Sequence, residues 1–475
     1  MLSQQATDFF DDIKTLFKNS GETVSYVYHQ IVDVPISRVS NDPQALYCRH
    51  SIIRLLILLK IANISSVHKC LNTGLKQVLP MQKDLLYKIK NCVKINWRRI
   101  MLTQAYSCMK EIEQEQIETP SDQPCFIIDD TDIPKTGRCM EFIGRIFSHA
   151  NRGYKLGYKS LNLAYWTGKT TLHLDFSLHI EQGKNKTQGM KPKELANRFT
   201  KHRKKASMGQ QRVDELTMKK TQNAIRMLRR AIAKGFQASY ILVDSWFFSQ
   251  NLVAFAISKN LHLISRPKFN NWKYDHSGKS YILGNLIKKV RYKKTKRKWN
   301  KDLRMHHVTV SVLFKDMPIK LFFYKEKKRG TKWHVIASTD KTIGAIQAFK
   351  IYQNRWSIEV SFKELKQHLA FGKCQSRDFD AQISDLTFCL MAYNCLSQLK
   401  AIQKHQSIGA LFETVSKNWL SPNLMQRFWN HLYEAIRKLA DLINAEFQEL
   451  INTIFQSDHF FSEWAQINRA LGTET

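Results

Sequence analysis

The sequence predicts a mixed α/β core that lies between a helical N-terminal region and a helical C-terminal region. Three observations lead to this prediction. Two short apolar runs, 126–128 and 240–243, each stop at an aspartate, as expected of buried strands that end at a polar site. Residues 171–180 alternate apolar and polar side chains, which is the period of two that a β-strand produces. Longer segments around these runs carry apolar residues at helical spacing.

The charge of the chain points to a polyanionic partner. Among 475 residues, Lys and Arg exceed Asp and Glu by a formal net charge of +34. A surplus of this size attracts nucleic-acid backbones. Hydrophobic residues make up 43% of the chain, enough for a substantial core. We therefore favour an enzyme that binds nucleic acid over a ribosomal or merely soluble basic protein. Acidic membranes are a weaker alternative, because neither terminus carries a basic amphipathic tail.

Cysteine usage and the apolar runs predict a cytoplasmic protein. The nine cysteines are scattered and form no C-x-x-C pair, which favours reduced thiols over a disulfide framework or a structural zinc site. The N-terminus lacks the basic-then-apolar pattern of a signal peptide. The longest apolar run, 52–61, contains Arg54 and Lys60 and is too short to span a bilayer.

Residues 1–120 are expected to be helical. Residues 51–62 form an apolar-rich helix, and residues 63–66 supply a break before a second helix that runs through Leu71. Two helices joined by a short turn in a basic segment are compatible with a DNA-binding unit. They are also compatible with simple core packing, so the pattern leaves both interpretations open.

The central part of the chain contains five predicted strands and two predicted helices. The strands are 126–128, 160–166, 171–180, 240–243 and 261–265, and the helices are 213–234 and 249–259. This order is similar to that of the ribonuclease-H-like fold, whose first and fourth strands lie side by side and present acidic residues at neighbouring positions. In this sequence those two strands end at Asp129 and Asp244.

Residues 267–342 are predicted to form a β-rich basic insertion. Eight lysines and arginines lie between 288 and 298, and strand-like runs follow at 307–314, 319–324 and 333–337. This cluster of positive charge is typical of a phosphate-binding surface. A run of charged residues that are merely exposed to solvent would give the same pattern.

The helix predicted from about 343 to past Phe371 carries the most specific pattern. Its polar residues fall at spacings of three, four and seven, which places them on one face. Those residues are Tyr352, Arg355, Glu359 and Lys366. An apolar stripe beside them would seat the helix against the sheet, and it consists of Ile351, Ile358, Phe362, Leu365 and Leu369. The region from 385 to 475 is expected to be mostly helical.

The spacing Tyr-x-x-Arg-x-x-x-Glu-x-x-x-x-x-x-Lys over 352–366 resembles the tyrosine–arginine–glutamate–lysine signature of DDE transposases from bacterial insertion sequences, in the insertion sequence four group. Asp129-Asp130-Thr131 resembles the first aspartate motif of that family, and Val243-Asp244-Ser245-Trp246 resembles the second. A sizeable β insertion before the glutamate is a further mark of the family. The resemblance covers about residues 120–400.

The resemblance implies a domain organisation. Residues 121–266 and 343–384 would form a ribonuclease-H-like catalytic core, interrupted by the β-rich insertion at 267–342. By their position alone, residues 1–120 would form the domain that binds DNA ends, and 385–475 a helical C-terminal region.

The resemblance also implies an activity. The protein would bind terminal inverted repeats as a homodimer on paired ends, cleave the strands and join them to target DNA. A ribonuclease-H-like nuclease that shares the carboxylates but lacks strand transfer is one alternative. A catalytically inactive DNA-binding protein derived from a transposase is the other.

Asp129, Asp244 and Glu359 are the predicted catalytic and metal-binding residues. Phosphodiester cleavage needs an activated water and a stabilised leaving oxygen, which two Mg²⁺ ions about 4 Å apart supply. Carboxylates are the ligands that Mg²⁺ prefers, and Mn²⁺ could substitute. Asp130 is the alternative to Asp129 as first ligand, because Asp129, Asp130 and Asp132 crowd the end of one strand.

The remaining motif residues take their expected roles from the resemblance. Arg355 and Lys366 would contact phosphates beside the scissile bond, and Tyr352 would contact a phosphate near a displaced base. A tryptophan of the insertion could stack on that base, and the sequence does not choose among Trp272, Trp299 and Trp333. For each of the three, packing in the core is the favoured alternative. Trp246 is expected in the core. Four polar residues could line the DNA channel or simply reflect loop polarity: His149, Arg152, Lys155 and Lys159.

Overall fold

The computed structural model describes residues 49–62, 67, 83–115, 123–148, 152–183, 185–291, 298–301, 303–326, 332–402 and 407–413. Within these ranges the chain is a mixed α/β protein, as predicted, in which helices cover a twelve-stranded sheet. None of the helices in these ranges is both long and apolar enough to cross a membrane.

Within the described residues, three helices precede the sheet. They are α1 (Arg49–Ile61), α2 (Lys83–Lys90) and α3 (Trp97–Gln114). The Asn96 side chain accepts a hydrogen bond from the Arg99 amide and so begins α3. Helix α1 confirms the predicted helix at 51–62. The second predicted helix, through Leu71, lies outside the described residues apart from Val67.

Six strands form the central part of the sheet: β1 (Cys125–Pro134), β2 (Gly144–Ser148), β3 (Gly153–Trp166), β4 (Thr171–His179), β5 (Tyr240–Val243) and β6 (His262–Ser265). Strand β1 is longer than predicted. It does not end at Asp129, because β3 pairs with it antiparallel from Cys125 to Pro134. The short edge strand β2, which pairs with the end of β3, was not predicted.

The strand order places the two aspartate-bearing strands side by side. The sheet runs β2-β3-β1-β5-β6-β12-β11-β10-β7-β8, with β4 beside β3 and β9 beside β10. Strand β5 pairs in parallel with both β1 and β6. Because β2 was missed, the adjacent pair is the first and fifth strand rather than the first and fourth.

Helices cover both faces of this central sheet. Short helices α4 (Pro192–Ala196) and α5 (Met208–Asp214) precede α6 (Lys220–Lys234), and α7 (Gln250–Ser258) follows β5. The predicted continuous helix at 213–234 is interrupted by a 3-10 turn, Glu215–Thr217. The interruption has a physical reason: the buried Glu215 carboxylate accepts from Arg98 at 2.7 Å, and the Met218 amide closes the turn onto the Glu215 carbonyl.

The insertion adds strands to the same sheet. It contains β7 (Lys273–His276), β8 (Lys279–Ile282), α8 (Leu283–Arg291), β9 (Lys298–Asn300), β10 (Met305–Phe314), β11 (Met317–Glu326) and β12 (His334–Ser338). The predicted strands at 307–314, 319–324 and 333–337 are confirmed as β10, β11 and β12. Strand β12 pairs with β6, so the insertion continues the central sheet at its edge. The division of the chain into domains stays a prediction.

The predicted long helix after residue 343 is two helices, α9 (Ala345–Gln353) and α10 (Trp356–His368), followed by α11 (Phe379–Ile402). Between α9 and α10, the amides of Asn354 and Arg355 bond to carbonyls three residues back, which tightens the backbone and breaks the α-helical pattern. Helix α10 ends before Phe371 because Ala370 adopts a left-handed conformation with φ 53°. Beyond residue 413, the predicted C-terminal helical region lies outside the described residues.

Candidate active site

Asp129 and Asp244 occupy neighbouring positions on parallel strands. Ile128 and Val243 are the last paired residues of β1 and β5, and each aspartate follows immediately. Oδ1 of Asp244 accepts hydrogen bonds from the backbone amides of Trp246 at 2.8 Å and Phe247 at 3.2 Å. The turn after β5 is therefore tied to the Asp244 carboxylate.

The two successive aspartates of β1 face opposite sides of the sheet. Ile127, two residues before Asp129, packs in the apolar cluster that contains Ile358 of α10. Ile128, two residues before Asp130, packs in the separate cluster that contains residues of α6. Because strand side chains alternate, Asp129 faces α10 and Asp130 faces α6.

Hydrogen bonds agree with this assignment of faces. Nη1 of Arg355 donates to Oδ2 of Asp129 at 3.2 Å, and Nη2 donates to Oε1 of Glu359 at 2.6 Å. On the other face, the Lys220 ammonium forms an ion pair with Asp130. The structure thus brings Asp129 and Glu359 to one guanidinium and gives Asp130 a different partner.

Asp129 and Asp244 lie where burial disfavours the charged form of a carboxylate. Burial raises the pKa of Asp129 to about 7, and the nearby Asp244 adds to this rise while Arg355 opposes it. Burial also raises the pKa of Asp244, against the hydrogen bonds from the Trp246 and Phe247 amides. Crowded, partly desolvated carboxylates gain most from a bound cation, because a cation stabilises their charged form.

The donor set suits a hard divalent cation, but the side chains are not gathered around one point. Carboxylate oxygens from two strands and a helix are the ligands that Mg²⁺ accepts. Among the described residues, however, no three His, Cys, Asp or Glu side chains lie close enough together to hold a metal ion. The Arg355 guanidinium lies between Asp129 and Glu359 instead, and it would have to move before both carboxylates could reach one ion.

The signature residues converge, although they come from two helices rather than one. Tyr352 lies on α9, its hydroxyl donates to the Val243 carbonyl at 3.3 Å, and its ring lies 5.7 Å from the Arg355 guanidinium. Lys366 lies on α10, and its Nζ donates to the Thr131 hydroxyl at 2.6 Å. The prediction of one continuous helical face is wrong, because the chain turns tightly at Asn354 and Arg355.

The tryptophans lie in different surroundings. Trp246 is not a core residue, since 46% of it is exposed and the Lys220 ammonium lies 4.9 Å from its ring centroid. Of the three tryptophans of the insertion, Trp272 packs against Phe248, which follows the turn after β5. Trp299 packs against His306 on β10, and Trp333 is half-buried against the core.

The possible channel residues differ in their exposure. Lys159 is buried and lies 3.3 Å from Asp132, so it is not a free surface cation. Lys155 is half-buried, Arg152 is exposed, and His149 lies outside the described residues.

Lys220 is the residue near the carboxylates that sequence reasoning missed. It lay inside a helix predicted to run unbroken from 213 to 234, so it carried no sign of being a helix-start residue. A prediction that the helix begins at Lys220 would have been needed to place this residue at the edge of the sheet.

Comparison with known proteins identifies the family. A search of curated proteins found no match to the chain. The family model described as the transposase DDE domain matches residues 120–395, a span that contains both aspartates, Glu359 and the whole β insertion. Since that span exceeds half of the chain, the protein belongs to the transposase DDE domain family.

Proposed function

We propose that the protein binds the ends of an insertion sequence, cleaves them with the help of divalent metal ions and joins them to target DNA. It would belong to the insertion sequence four group of this family. The observation that carries the proposal is that Asp129 and Asp244 follow the last paired residues of two parallel strands and that Arg355 binds both Asp129 and Glu359, in a chain of the transposase DDE domain family. A net charge of +34 supports DNA as the partner.

A ribonuclease-H-like core is part of the proposal. The central strands lie in the order β4-β3-β1-β5-β6, with three antiparallel strands followed by two parallel ones. This arrangement supports the fold, because it places acidic residues at adjacent strand positions as that fold requires.

Asp129, Asp244 and Glu359 would hold two Mg²⁺ ions, which Mn²⁺ could replace. When bound, the ions supply an activated water at neutral pH and stabilise the leaving oxygen. The face that Asp129 shares with Glu359 supports Asp129 over Asp130 as the first ligand.

Three residues around the carboxylates would bind and orient the DNA. Arg355 would exchange its carboxylate partners for a phosphate beside the scissile bond, to which its planar group can donate two hydrogen bonds. Lys366, which reaches Thr131 on the same face of β1 as Asp129, would offer a point charge to a neighbouring phosphate. Tyr352 would contact a phosphate near a displaced base.

The rest of the chain would supply binding surfaces. Residues 1–120 would recognise the terminal repeats, and the basic insertion at 267–342 would contact flanking phosphates. Two copies would pair the two ends as a homodimer, in the cytoplasm at the nucleoid.

The decisive experiment incubates the full chain with terminal-repeat DNA and Mg²⁺. Joined products are the expected result, and products that are only nicked would favour a ribonuclease-H-like nuclease. Glu359→Gln should abolish cleavage while DNA binding survives. Glu113→Gln, an exposed change of the same kind on α3, serves as the control and should cleave normally. Unchanged cleavage by Glu359→Gln would remove that residue from the site.

One observation favours the second candidate, an inactive DNA-binding protein derived from a transposase. Arg355 forms ion pairs with both Asp129 and Glu359, so these two carboxylates already have a cationic partner. Metal-independent DNA binding, with no cleavage under any ionic condition, would establish that function instead.

A further inference from the structure

A second cation lies on the opposite face of β1 from Arg355. Asp130 is next to Asp129 in sequence, yet it pairs with Lys220 of α6 rather than with any residue of α10. Both partners are largely removed from solvent, with 16% of the Lys220 side chain and 24% of the Asp130 side chain exposed. The pair lies one residue away from a proposed metal ligand.

We propose that Lys220 is an internal counter-ion that keeps Asp130 out of the metal-binding set. Lys220 is thus a positioning residue, and Asp129 is the first ligand because Asp130 is already neutralised. This inference rests on the proposed metal-dependent function and adds a reason for the choice of ligand.

The surroundings of Lys220 link the two strands that carry the aspartates. Its ammonium contacts Asp130 on β1 and lies 4.9 Å from the ring centroid of Trp246. Trp246 belongs to the turn after β5, and its amide donates to Asp244. A cation over an indole ring is an attractive contact, so Lys220 joins β1 to the turn that orients Asp244.

Charge balance at the site supports the same role. Four acidic side chains lie at or near the end of the pairing between β1 and β5: Asp129, Asp130, Asp244 and Glu359. Of these four, Arg355 forms ion pairs with Asp129 and Glu359. Without Lys220, Asp130 would be a partly buried carboxylate without its cation, beside Asp244. A divalent cation would then bind Asp130 favourably, because hard cations prefer carboxylate oxygens as ligands.

The test measures Mn²⁺ binding to metal-free full-length protein by the loss of the free-ion electron paramagnetic resonance signal. Four proteins form a double-mutant cycle: the wild type, Asp130→Asn, Lys220→Met and the double variant. Asp130→Asn alone should weaken binding by less than about threefold, because Asp130 is not a ligand. Lys220→Met should tighten binding by about tenfold, a coupling within the range for residues in contact. Asp130→Asn in the Lys220→Met background should abolish that gain.

Controls separate the counter-ion role from general structural damage. Lys219→Met removes the adjacent exposed lysine and should leave Mn²⁺ binding unchanged. Lys220→Arg keeps the charge and should bind Mn²⁺ as the wild type does. If Lys220→Met fails to fold, Lys220→Gln takes its place in the cycle.

Two results would overturn the inference while leaving the proposed function intact. One is a loss of Mn²⁺ affinity in Asp130→Asn as large as that in Asp129→Asn. The other is an unchanged affinity in Lys220→Met, with no added effect of Asp130→Asn. A wild-type protein that binds no Mn²⁺ would instead overturn the metal-dependent function, and the inference with it.

Discussion

The Nη1 atom of Arg355 lies 3.2 Å from Oδ2 of Asp129, a residue 226 positions earlier in the chain. The same guanidinium also binds Glu359, which lies four residues later on α10. A cationic side chain therefore balances two carboxylates at the place where the proposed function requires a divalent metal ion. Arg355 and the metal should compete for these oxygens.

Replacement of Arg355 by Gln should separate metal binding from DNA cleavage. The variant should bind Mn²⁺ more tightly, by about tenfold, because a charged competitor worth about 1.4 kcal/mol is removed. Cleavage of terminal-repeat DNA should fall by at least about a hundredfold, since the phosphate loses its planar donor. Arg377→Gln, an exposed change after α10, should alter neither. Weaker Mn²⁺ binding by Arg355→Gln would show that Arg355 supports the metal site rather than competing for it.

Metal binding should weaken below neutral pH. Burial and the charge of Asp244 raise the pKa of Asp129 to about 7, so this carboxyl is protonated below that value and ionised above it. Because a ligand must lose its proton to bind metal, Mn²⁺ should bind about tenfold more weakly at pH 6 than at pH 8. Equilibrium dialysis at the two pH values measures this. An affinity that does not change with pH would exclude a metal-linked titration of Asp129 in this range.

The buried Asp385 should be essential to stability. Its carboxylate accepts from Nζ of Lys60 at 2.9 Å and from Nζ of Lys90 at 2.7 Å, which ties α11 to α1 and α2. Asp385→Asn should lower the free energy of unfolding by about 3–5 kcal/mol, because it leaves two buried ammonium groups uncompensated. Denaturant unfolding measures the loss. The exposed Asp84→Asn on α2 is the control, and it should cost less than about 0.5 kcal/mol.

The ion pairs of Asp385 with Lys60 and Lys90 should make the stability of the protein depend on pH. Burial alone would raise the pKa of Asp385, but the charges of Lys60 and Lys90 outweigh burial and hold it below its usual range. The stabilisation is therefore complete above the unfolded-state pKa of about 4 and is lost as the pH falls below it. In Asp385→Asn, the difference from the wild type should shrink on acidification. A difference that stays constant down to strongly acidic pH would contradict this linkage.

DNA affinity should depend steeply on salt, and Lys366 should account for part of that dependence. Each phosphate contact by a lysine releases condensed counterions, so Lys366→Met should reduce the slope of log affinity against log salt by about one. Lys259→Met, which removes an exposed lysine that follows α7, should leave the slope unchanged. Fluorescence anisotropy with labelled terminal-repeat DNA gives both slopes. Equal slopes for Lys366→Met and the wild type would remove Lys366 from the phosphate-binding residues.

Much of the fold follows from local patterns. The apolar runs before Asp129 and Asp244 are strands, the hairpin of β3 and β4 lies where its alternation predicted, and three insertion strands were located correctly. The failures occur where long-range contacts override local propensity. Strand β1 continues through its polar residues because β3 pairs with it, and Glu215 interrupts a helical pattern because a distant arginine binds it.

The sequence by itself determined the chemistry available to this protein: an excess of positive charge, two aspartates at strand positions, and one glutamate between a tyrosine, an arginine and a lysine at helical spacings. Only the tertiary structure decided which of two adjacent aspartates faces that glutamate, and it placed Arg355 between Asp129 and Glu359 and Lys220 beside Asp130. The physical reason is that successive strand residues point to opposite faces of the sheet, and tertiary packing decides which helix covers each face. Contacts between segments more than 80 residues apart decide which helix covers each face of β1, and no local pattern encodes such contacts.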